Sequence, residues 1–464
     1  MDLRTLAAVA AAKLVTVFLR IRGSGGSTLP GRLARRIQPC ILKKLAAQHT
    51  RGNVVISGTN GKTTTAKMMA DIMQRVGWKP AHNRTGANLI YGITSEFIHK
   101  ATLSGRMRTD IGLAEVDEAT MPEAVADLMP SVAVITNFFR DQLDRYGELE
   151  TTVSYVNKGL DAMLDASTLV LNADDPLVAA LANKPRLRTL FFGVEDAQSA
   201  GEAHSVVGEI GRCARCGKQY EYSAVYYAHL GIYHCASCGY RRPKPTVALT
   251  KYTSLGPEGS LLEIDTPEGS FETELRVPGF YNAYNVLAAV GCALALGIEI
   301  HHVRDALSEF TSSFGRMESV PVAGRRVLIA LVKNPTGFDE VIRVLLEGDD
   351  KKILLIAIND KYADGRDVSW LWDVNFERLA QQEQATRLVV TSGLRAHDMA
   401  LRLRYAGLDT DVILSEPDLQ QAFSAALEKT EQGGTLYVLP TYTAMLELRD
   451  ILHSMGLARR FWEV

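Results

Sequence analysis

The sequence has almost no charge imbalance: 51 Lys and Arg stand against 53 Asp and Glu, a formal net charge of −2. Non-specific nucleic-acid binding draws on a basic surface that releases counterions, so a chain this neutral carries no such signature overall. It also lacks a membrane span. The longest apolar stretch, Leu6 to Leu19, is interrupted by Lys13 and falls short of the roughly 20 residues that cross a bilayer. Internal repeats and low-complexity tracts are missing, which excludes solenoid, fibrous and disordered classes. What is there is ordinary: 464 residues, 47% hydrophobic and 22% charged, enough for two or three domains with proper cores.

The positive charge is local. Residues 1–51 carry ten Lys or Arg against the single acid Asp2. The Leu6–Leu19 stretch reads as an amphipathic helix, and two readings of it stand: packing against the body, or a peripheral contact with the inner face of the cytoplasmic membrane. A secretory signal is the rival, because Ala7–Ala12 could form part of an apolar core region. The Arg20-Ile21-Arg22 flank lies on the wrong side for it, so the expected location is cytoplasmic. Gly23-Ser24-Gly25-Gly26-Ser27, followed by Pro30-Gly31, reads as a flexible joint.

From about Arg51, short β-branched runs alternate with amphipathic stretches. Val54-Val55-Ile56 is followed by Met69, Ile72, Met73 and Val76 at helical spacing, ended by Gly77. Further strands are expected at Val132–Ile135, Leu169–Leu171 and Leu190–Phe192, giving a mostly parallel sheet with helices on both faces. Between Glu202 and Pro245 a Cys-, Tyr- and Gly-rich insert breaks the pattern, and strand and helix return from Phe271 to Gly297. A second βα series follows Val320, with strands at Val327–Leu331, Ile353–Ile356, Leu388–Val390, Val412–Leu414 and Leu436–Leu439, a second doubly wound domain. The expected division is 1–50 for the basic helix and linker, 51–318 for the central domain with its insert at about 203–245, and 319–464 for the C-terminal domain.

The Val54-Val55-Ile56 strand runs into Ser57-Gly58-Thr59-Asn60-Gly61-Lys62-Thr63-Thr64-Thr65 and then a helix. This is the context in which backbone N–H groups and a helix N-terminus cradle phosphates. Lys62 would meet the terminal phosphates and Thr63 would offer its hydroxyl to Mg²⁺. Ile56 stands where the usual eight-residue loop has its first Gly. Capping alone is a poor account of strand, loop, Lys, hydroxyl cluster and helix together, so nucleotide binding is the reading taken.

Cys213-x-x-Cys216 and Cys235-x-x-Cys238, separated by 18 residues, have the spacing of two knuckles around a tetrahedral Zn²⁺. Four thiolates leave no open position, so this metal is expected to be structural. Two disulfides would need an oxidising compartment, which an ATP-consuming chain with further cysteines at Cys40 and Cys292 does not suggest. His234 is read as a bystander. Cys40 and Cys292 lie in apolar helical contexts, where Cys is usually buried filler.

The Gly-Thr-Asn-Gly-Lys-Thr-Thr loop resembles that of the Mur ligase and folylpolyglutamate synthase superfamily. The resemblance implies ATP held by Gly58, Thr59, Asn60, Gly61, Lys62, Thr63 and Thr64, and Mg²⁺ held by Thr63 and Glu115, the latter at the end of Leu113-Ala114-Glu115. Thr136-Asn137 and Asp141-Gln142-Leu143-Asp144-Arg145-Tyr146-Gly147 resemble a further superfamily segment, with Gln142 in place of its His. Lys158 lies close to the position of a carbamylated lysine that binds a second Mg²⁺; a plain surface lysine is the equal alternative. Phe280-Tyr281-Asn282-Ala283-Tyr284-Asn285 resembles the adenine-recognition segment, which carries over Asn282 and Asn285. Gly315-Arg316-Met317-Glu318 resembles a Gly-Arg-x-Glu signature whose arginine holds phosphate, and Lys333-Asn334-Pro335 takes the place of His-Asn-Pro. The ribose-binding aspartate before that tripeptide is absent.

The zinc insert, the lack of a large substrate domain before the loop and the run Asn359-Asp360-x-x-Ala363-Asp364-Gly365-x-Asp367-x-Ser369-Trp370-x-Trp372-Asp373 together resemble the MurT family. The implied fold is α/β: a Mur ligase-like central P-loop ATPase domain with a doubly wound parallel sheet and a four-cysteine zinc-ribbon insert, then a Rossmann-like C-terminal domain. The implied activity is that of the synthetase half of a lipid II isoglutaminyl synthase. It amidates the α-carboxyl of D-Glu in the stem peptide, using ammonia from a GatD-type glutaminase. In that family an aspartate of the C-terminal domain completes the glutaminase's Cys-His pair. Asp373 is the first choice, with Asp364, Asp367 and Asp360 as alternatives. An amino-acid ligase and a non-catalytic ATP-binding scaffold are the competing functions.

Overall fold

The structure, a computed structural model, describes residues 2–21, 28–83, 87–139, 149–200, 211–311, 315–347, 351–381 and 386–457. The Gly23–Ser27 joint, the Asp141–Gly147 segment with Gln142, and the first residues of the insert lie outside the described residues.

Strand β1 (Asn53–Ser57) is buried along its whole length, as a parallel strand covered on both faces must be. Its side chains alternate between two cores: Val54 and Ile56 enter one, Val55 the other. On the first face lie α4 (Lys62–Arg75), whose Met68, Met69, Ile72 and Met73 are buried, and the helix Tyr281–Ala295. On the second lie α1 (Leu3–Ile21), α2 (Leu29–Ile37), α3 (Ile41–Ala46), α5 (Ile90–Lys100) and α6 (Met121–Leu128). The N-terminal basic segment is thus a helical layer on the body, longer at both ends than the Leu6–Leu19 expectation.

The remaining strands of this sheet are β2 (Pro80–His82), β3 (Ile111–Glu115), β4 (Val132–Ile135), β5 (Thr168–Asn172), β6 (Arg188–Val194), β9 (Val247–Ser254), β10 (Ser260–Thr266) and β11 (Gly269–Leu275). They run in the order β11-β10-β9-β6-β5-β4-β1-β3-β2. β1 pairs in parallel with β3 on one side and β4 on the other. The strand order reverses there, and ligands of open α/β sheets bind outside the carboxyl ends at such a point. Beyond β6 the sheet turns antiparallel: β9, β10 and β11 form a meander. The insert contributes a separate two-stranded hairpin of β7 (Glu221–Tyr227) and β8 (Leu230–His234).

The second sheet comprises β12 (Arg316–Val322), β13 (Arg325–Ala330), β14 (Lys352–Ala357), β15 (Thr386–Ser392), β16 (Ile413–Ser415) and β17 (Thr435–Pro440), ordered β12-β13-β17-β14-β15-β16. Only the β12–β13 pair is antiparallel. Arg316 therefore opens the second sheet, where the sequence reading put it at the end of the central domain. One face of this sheet, with Val327, Leu355 and Val438, packs its own core. The other, with Leu328, Leu354 and Leu439, joins the apolar cluster of the central domain. Polar contacts reinforce the junction: Arg343 Nη1 donates to Tyr226 O at 3.2 Å and Arg326 pairs with Glu258 at 2.8 Å.

Candidate active site and its zinc module

The β1–α4 loop is closed from within. Gly58 has φ 124° and Gly61 has φ 88°, backbone angles that residues with a Cβ rarely adopt. A Cβ on Gly58 would come within 2.4 Å of Thr136 Oγ1, and one on Gly61 within 2.1 Å of Asn285 Oδ1. The amide of Asn60 donates to Asn137 Oδ1 at 2.8 Å, Thr136 Oγ1 donates to Asn60 O at 2.7 Å, and Thr59 N donates to Asn137 O at 2.9 Å. The Thr136-Asn137 pair after β4 thus fixes the loop's shape. The first-turn amides of α4 have no intrahelical acceptor and form the anion-binding end.

Lys62 is buried. Its ammonium donates to Gly58 O, to Thr59 O at 3.3 Å and to Glu118 at 3.2 and 3.3 Å. Sequence reasoning missed Glu118, although its place three residues beyond Glu115 was a usable signal. Glu115 is itself buried; Asn88 Nδ2 reaches its Oε1 at 3.3 Å, while Oε2 has no hydrogen-bond partner among the described residues. A buried carboxylate oxygen without a donor is costly unless a cation completes it. Together with the Thr63 hydroxyl on the first turn of α4, this oxygen donor set suits Mg²⁺, which prefers hard oxygen ligands and retains waters.

The C-terminal domain reaches into the same place. Asn334 Nδ2 donates to Asn60 Oδ1 at 3.1 Å, Lys333 Nζ donates to Thr59 O at 3.2 Å, and Asn334 caps the helix Pro335–Leu345 by accepting from Gly337 N at 2.8 Å. Burial lowers the Arg316 pKa, and Glu115 lies close enough for its negative charge to oppose that shift. Arg316, from the second sheet, thus lies near the end of β3, while Lys333 and Asn334 touch the loop that leads into Lys62. Asn282 and Asn285 are buried and already bonded, Asn282 Nδ2 to Pro278 O at 2.7 Å and Asn285 Nδ2 to Asn282 Oδ1 at 3.0 Å. They seat the Tyr281–Ala295 helix against Gly61. Lys158 is exposed on the helix Leu149–Asp161.

In the insert, the Sγ atoms of Cys213, Cys216, Cys235 and Cys238 all lie within 4.8 Å of one another. The Cys213–Cys238 and Cys216–Cys235 distances are 3.5 Å, far beyond the ~2.05 Å of a disulfide. A Zn–S bond of about 2.3 Å in a tetrahedron gives sulfurs about 3.8 Å apart, so the cluster is compatible with zinc. Its halves are matched knuckles: Gly217 and Gly239 follow the second Cys of each with φ 72° and 73°, and their amides donate to Cys213 O and Cys235 O. His234 pairs with Glu221 at 3.2 Å instead of joining the cluster. The hairpin then reaches the site: Tyr227 and His229 pack against Phe139 with ring centroids 5.5 and 5.1 Å apart, and Phe139 N donates to Thr59 Oγ1 at 3.1 Å.

The Mur ligase middle domain model matches residues 56–213 and the MurT ligase C-terminal model matches 331–445. "Lipid II isoglutaminyl synthase (glutamine-hydrolyzing) subunit MurT" of Staphylococcus aureus (strain COL) is 32% identical over 97% of this chain and 98% of its own length. The protein of the same description from Streptococcus pneumoniae is 33% identical over 96% of each. The chain belongs to the MurT family. As a family member with a Mur ligase middle domain it is an ATP-dependent ligase, and the family implies ATP and Mg²⁺. A pseudomurein peptide ligase type C from Methanothermus fervidus shares the fold, with TM-score 0.68 at 19% identity over 89% of this chain and 80% of that one. A Mycobacterium tuberculosis folylpolyglutamate synthase gives TM-score 0.58 at 15% identity over 96% and 95%.

Within the MurT C-terminal region the acid run follows β14, and its four aspartates differ. Asp364 is buried and accepts from Thr443 N at 2.7 Å and Thr443 Oγ1 at 2.5 Å. Asp367 caps Ser369 N at 2.8 Å. Asp360 accepts from Arg395 Nε at 3.0 Å and Nη2 at 2.6 Å, both on Oδ2. Asp373 is exposed beside Trp372, which is 52% exposed and stands 5.5 Å from the Tyr405 ring. Tyr362, between Asp360 and Asp364, is 85% exposed. Among the described residues no helix is long and apolar enough to cross a membrane.

Proposed function

We propose that this chain amidates the α-carboxyl of D-Glu in the stem peptide of lipid II, giving D-isoglutamine. A carboxylate oxygen attacks the γ-phosphorus of ATP, ADP leaves, and an acyl phosphate forms. Ammonia then attacks the acyl carbon, phosphate departs with the C–O bond, and the nitrogen loses a proton. Lys62 and the first-turn amides of α4 are suited to stabilising the charge on the transferred phosphoryl group, and Arg316 to holding it from the other domain. Mg²⁺, held by Thr63 and Glu115, would neutralise phosphate charge. The observation that carries the reading is the near full-length likeness to the two MurT subunits, joined to a glycine-rich loop with a buried Lys62 that Lys333 and Asn334 of the C-terminal domain touch.

Ammonia is assigned to a partner glutaminase. Four of the six cysteines form the sulfur cluster. Cys292 is fully buried, which pushes its thiol pKa up. Cys40, expected from the sequence to be buried, is instead exposed at the N-cap of α3 in the N-terminal layer, and no hydrogen bond joins it to a histidine or other base among the described residues. Neither thiol has the adjacent base that activates a glutaminase nucleophile. The exposed Tyr362, Trp372 and Tyr405 are suitable anchors for a partner protein.

A triad acid must be held in place yet keep an oxygen for the histidine. Asp360 has that form: Arg395 engages Oδ2, and Oδ1 has no partner among the described residues. Asp373 is exposed but not so tethered, which moves the preference from Asp373 to Asp360. The test is product analysis with lipid II, ATP and glutamine, with and without a GatD-type glutaminase. A product one mass unit lighter, formed only with both proteins or with free ammonia, is expected. Addition of a whole amino acid, or full glutamine-dependent activity from this chain alone, would overturn the reading.

A further inference from the structure

The outer face of α1 has no part in the site. Leu3, Ala7, Ala10, Leu14, Val17 and Ile21 recur at alternating spacings of four and three, so at about 100° per residue they form one stripe. The inner face, with Thr5, Ala8, Val9 and Ala12, is buried against α2 and α5. The stripe is open: Leu3 is 84%, Leu14 71%, Val17 56% and Ile21 80% exposed, with Phe18 beside it at 51%. Five exposed apolar positions on one stripe of one helix, with Ala10 half-buried between them, are not the scattered exposure of an ordinary surface.

Cations border the stripe on both sides. Arg4 lies along one edge, Lys13 and Arg20 along the other. Lys13 Nζ donates to His99 O at 3.2 Å and Arg20 Nη2 meets His99 Nε2 at 3.1 Å. Arg108 is close enough to help lower the Lys13 pKa, after burial, and Lys100 adds to the positive field around His99. The nearby acids are engaged: Asp2 pairs with Lys44, Glu96 with Lys100 at 3.5 Å, and Glu123 and Asp127 with Arg35 at 2.5 Å.

We propose that α1 docks the protein on an anionic lipid bilayer, lying in the headgroup plane with Leu3, Leu14, Val17 and Ile21 inserted. An apolar stripe flanked by Lys and Arg on a helix too polar to span has the chemistry of an interfacial helix. A second copy of the chain would find the same stripe spaced as a coiled-coil seam, but both edges carry cations, so two such helices set like charges against each other. Phosphate-bearing headgroups complement those cations instead. The inference rests on α1 alone and is independent of the substrate proposed above.

The test is co-sedimentation of the full chain with vesicles of phosphatidylcholine alone or with phosphatidylglycerol added. Partitioning onto the anionic vesicles, weakened by salt, is expected; Leu14→Glu with Val17→Glu lowers it at least tenfold. Arg4→Gln with Arg20→Gln lowers it by about fivefold for each cation removed. A Leu14→Trp probe shifts its emission to the blue only with anionic vesicles. All these positions lie at the surface, and an unchanged melting temperature shows that the variants fold. Absence of wild-type partitioning, or equal partitioning onto both vesicle types, overturns the proposal. So does concentration-dependent dimerisation abolished by Leu14→Glu, which would assign the stripe to a second copy.

Discussion

The loop after β1 and the run after β14 both follow the carboxyl end of a buried parallel strand, yet they are built in opposite ways. In the first, the polar groups of Thr59, Asn60, Thr136 and Asn137 satisfy one another, and Lys62 is folded inward onto Glu118. In the second, Tyr362 and Trp372 stand in solvent and Asp360 is tied down through one oxygen. A small, highly charged ligand is bound by donors fixed in advance, so its site is inward-facing and rigid. A protein partner is bound by exposed aromatic anchors around a few oriented polar groups. The difference separates what each region is suited to: the first to a small anion, the second to a protein surface.

Five changes break or sharpen that contrast. The largest effect is expected from Lys62→Ala: ADP release supported by ammonia should fall by about a thousandfold or more, with the fold retained by circular dichroism. Comparable activity in the variant would remove Lys62 from the phosphate site.

Asp360→Asn should cut glutamine-dependent amidation by roughly a thousandfold in the complex with the glutaminase and leave ammonia-dependent amidation intact. If Asp373→Asn gives that split instead, the assignment reverts to Asp373. A loss with both nitrogen sources would mean that the run serves the ligase site.

Gly61→Ala forces a Cβ against Asn285 at a positive φ. Calorimetry should report nucleotide affinity down by about a hundredfold, with a melting temperature several degrees lower.

Zinc stripping tests whether the insert is separate from the loop. Loss of one zinc per chain should lower nucleotide affinity by about tenfold, because Tyr227 and His229 brace Phe139 against Thr59. Unchanged affinity in the metal-free protein would uncouple the two.

The smallest effect concerns Glu340, whose buried carboxyl has an Oε2 with no partner among the described residues and a pKa pushed up to about 7 by burial. Between pH about 4.5 and 7 the folded state binds the extra proton, so stability falls as pH rises through that window. Glu340→Gln should flatten this slope and raise the melting temperature by a few degrees at pH 8.

Strands that are apolar throughout, such as Val132–Ile135 and Leu436–Leu439, were legible because burial on both faces leaves no polar residue to blur them. The meander of β9 to β11 was less so: Thr250, Lys251, Glu263 and Glu272 face solvent along it, and its apolar positions are sparse. Val412 was expected in a strand, but Asp409 caps a short turn through it, and β16 starts at Ile413. Lys62 and the four cysteines were legible as local patterns. Glu118 as the partner of Lys62, and Asn334 against Asn60 across 274 positions, were not.

The sequence by itself determined the two α/β sheets, the phosphate loop and the paired Cys-x-x-Cys knuckles, because each depends on spacing along a short stretch of chain. Only the tertiary structure decided how the loop is held by Asn137 and Asn334, which aspartate is tethered and which merely exposed, and which stripe of α1 faces outward. Those outcomes depend on which distant segments meet, and packing, burial and the direction of a side chain are fixed only when the two cores close.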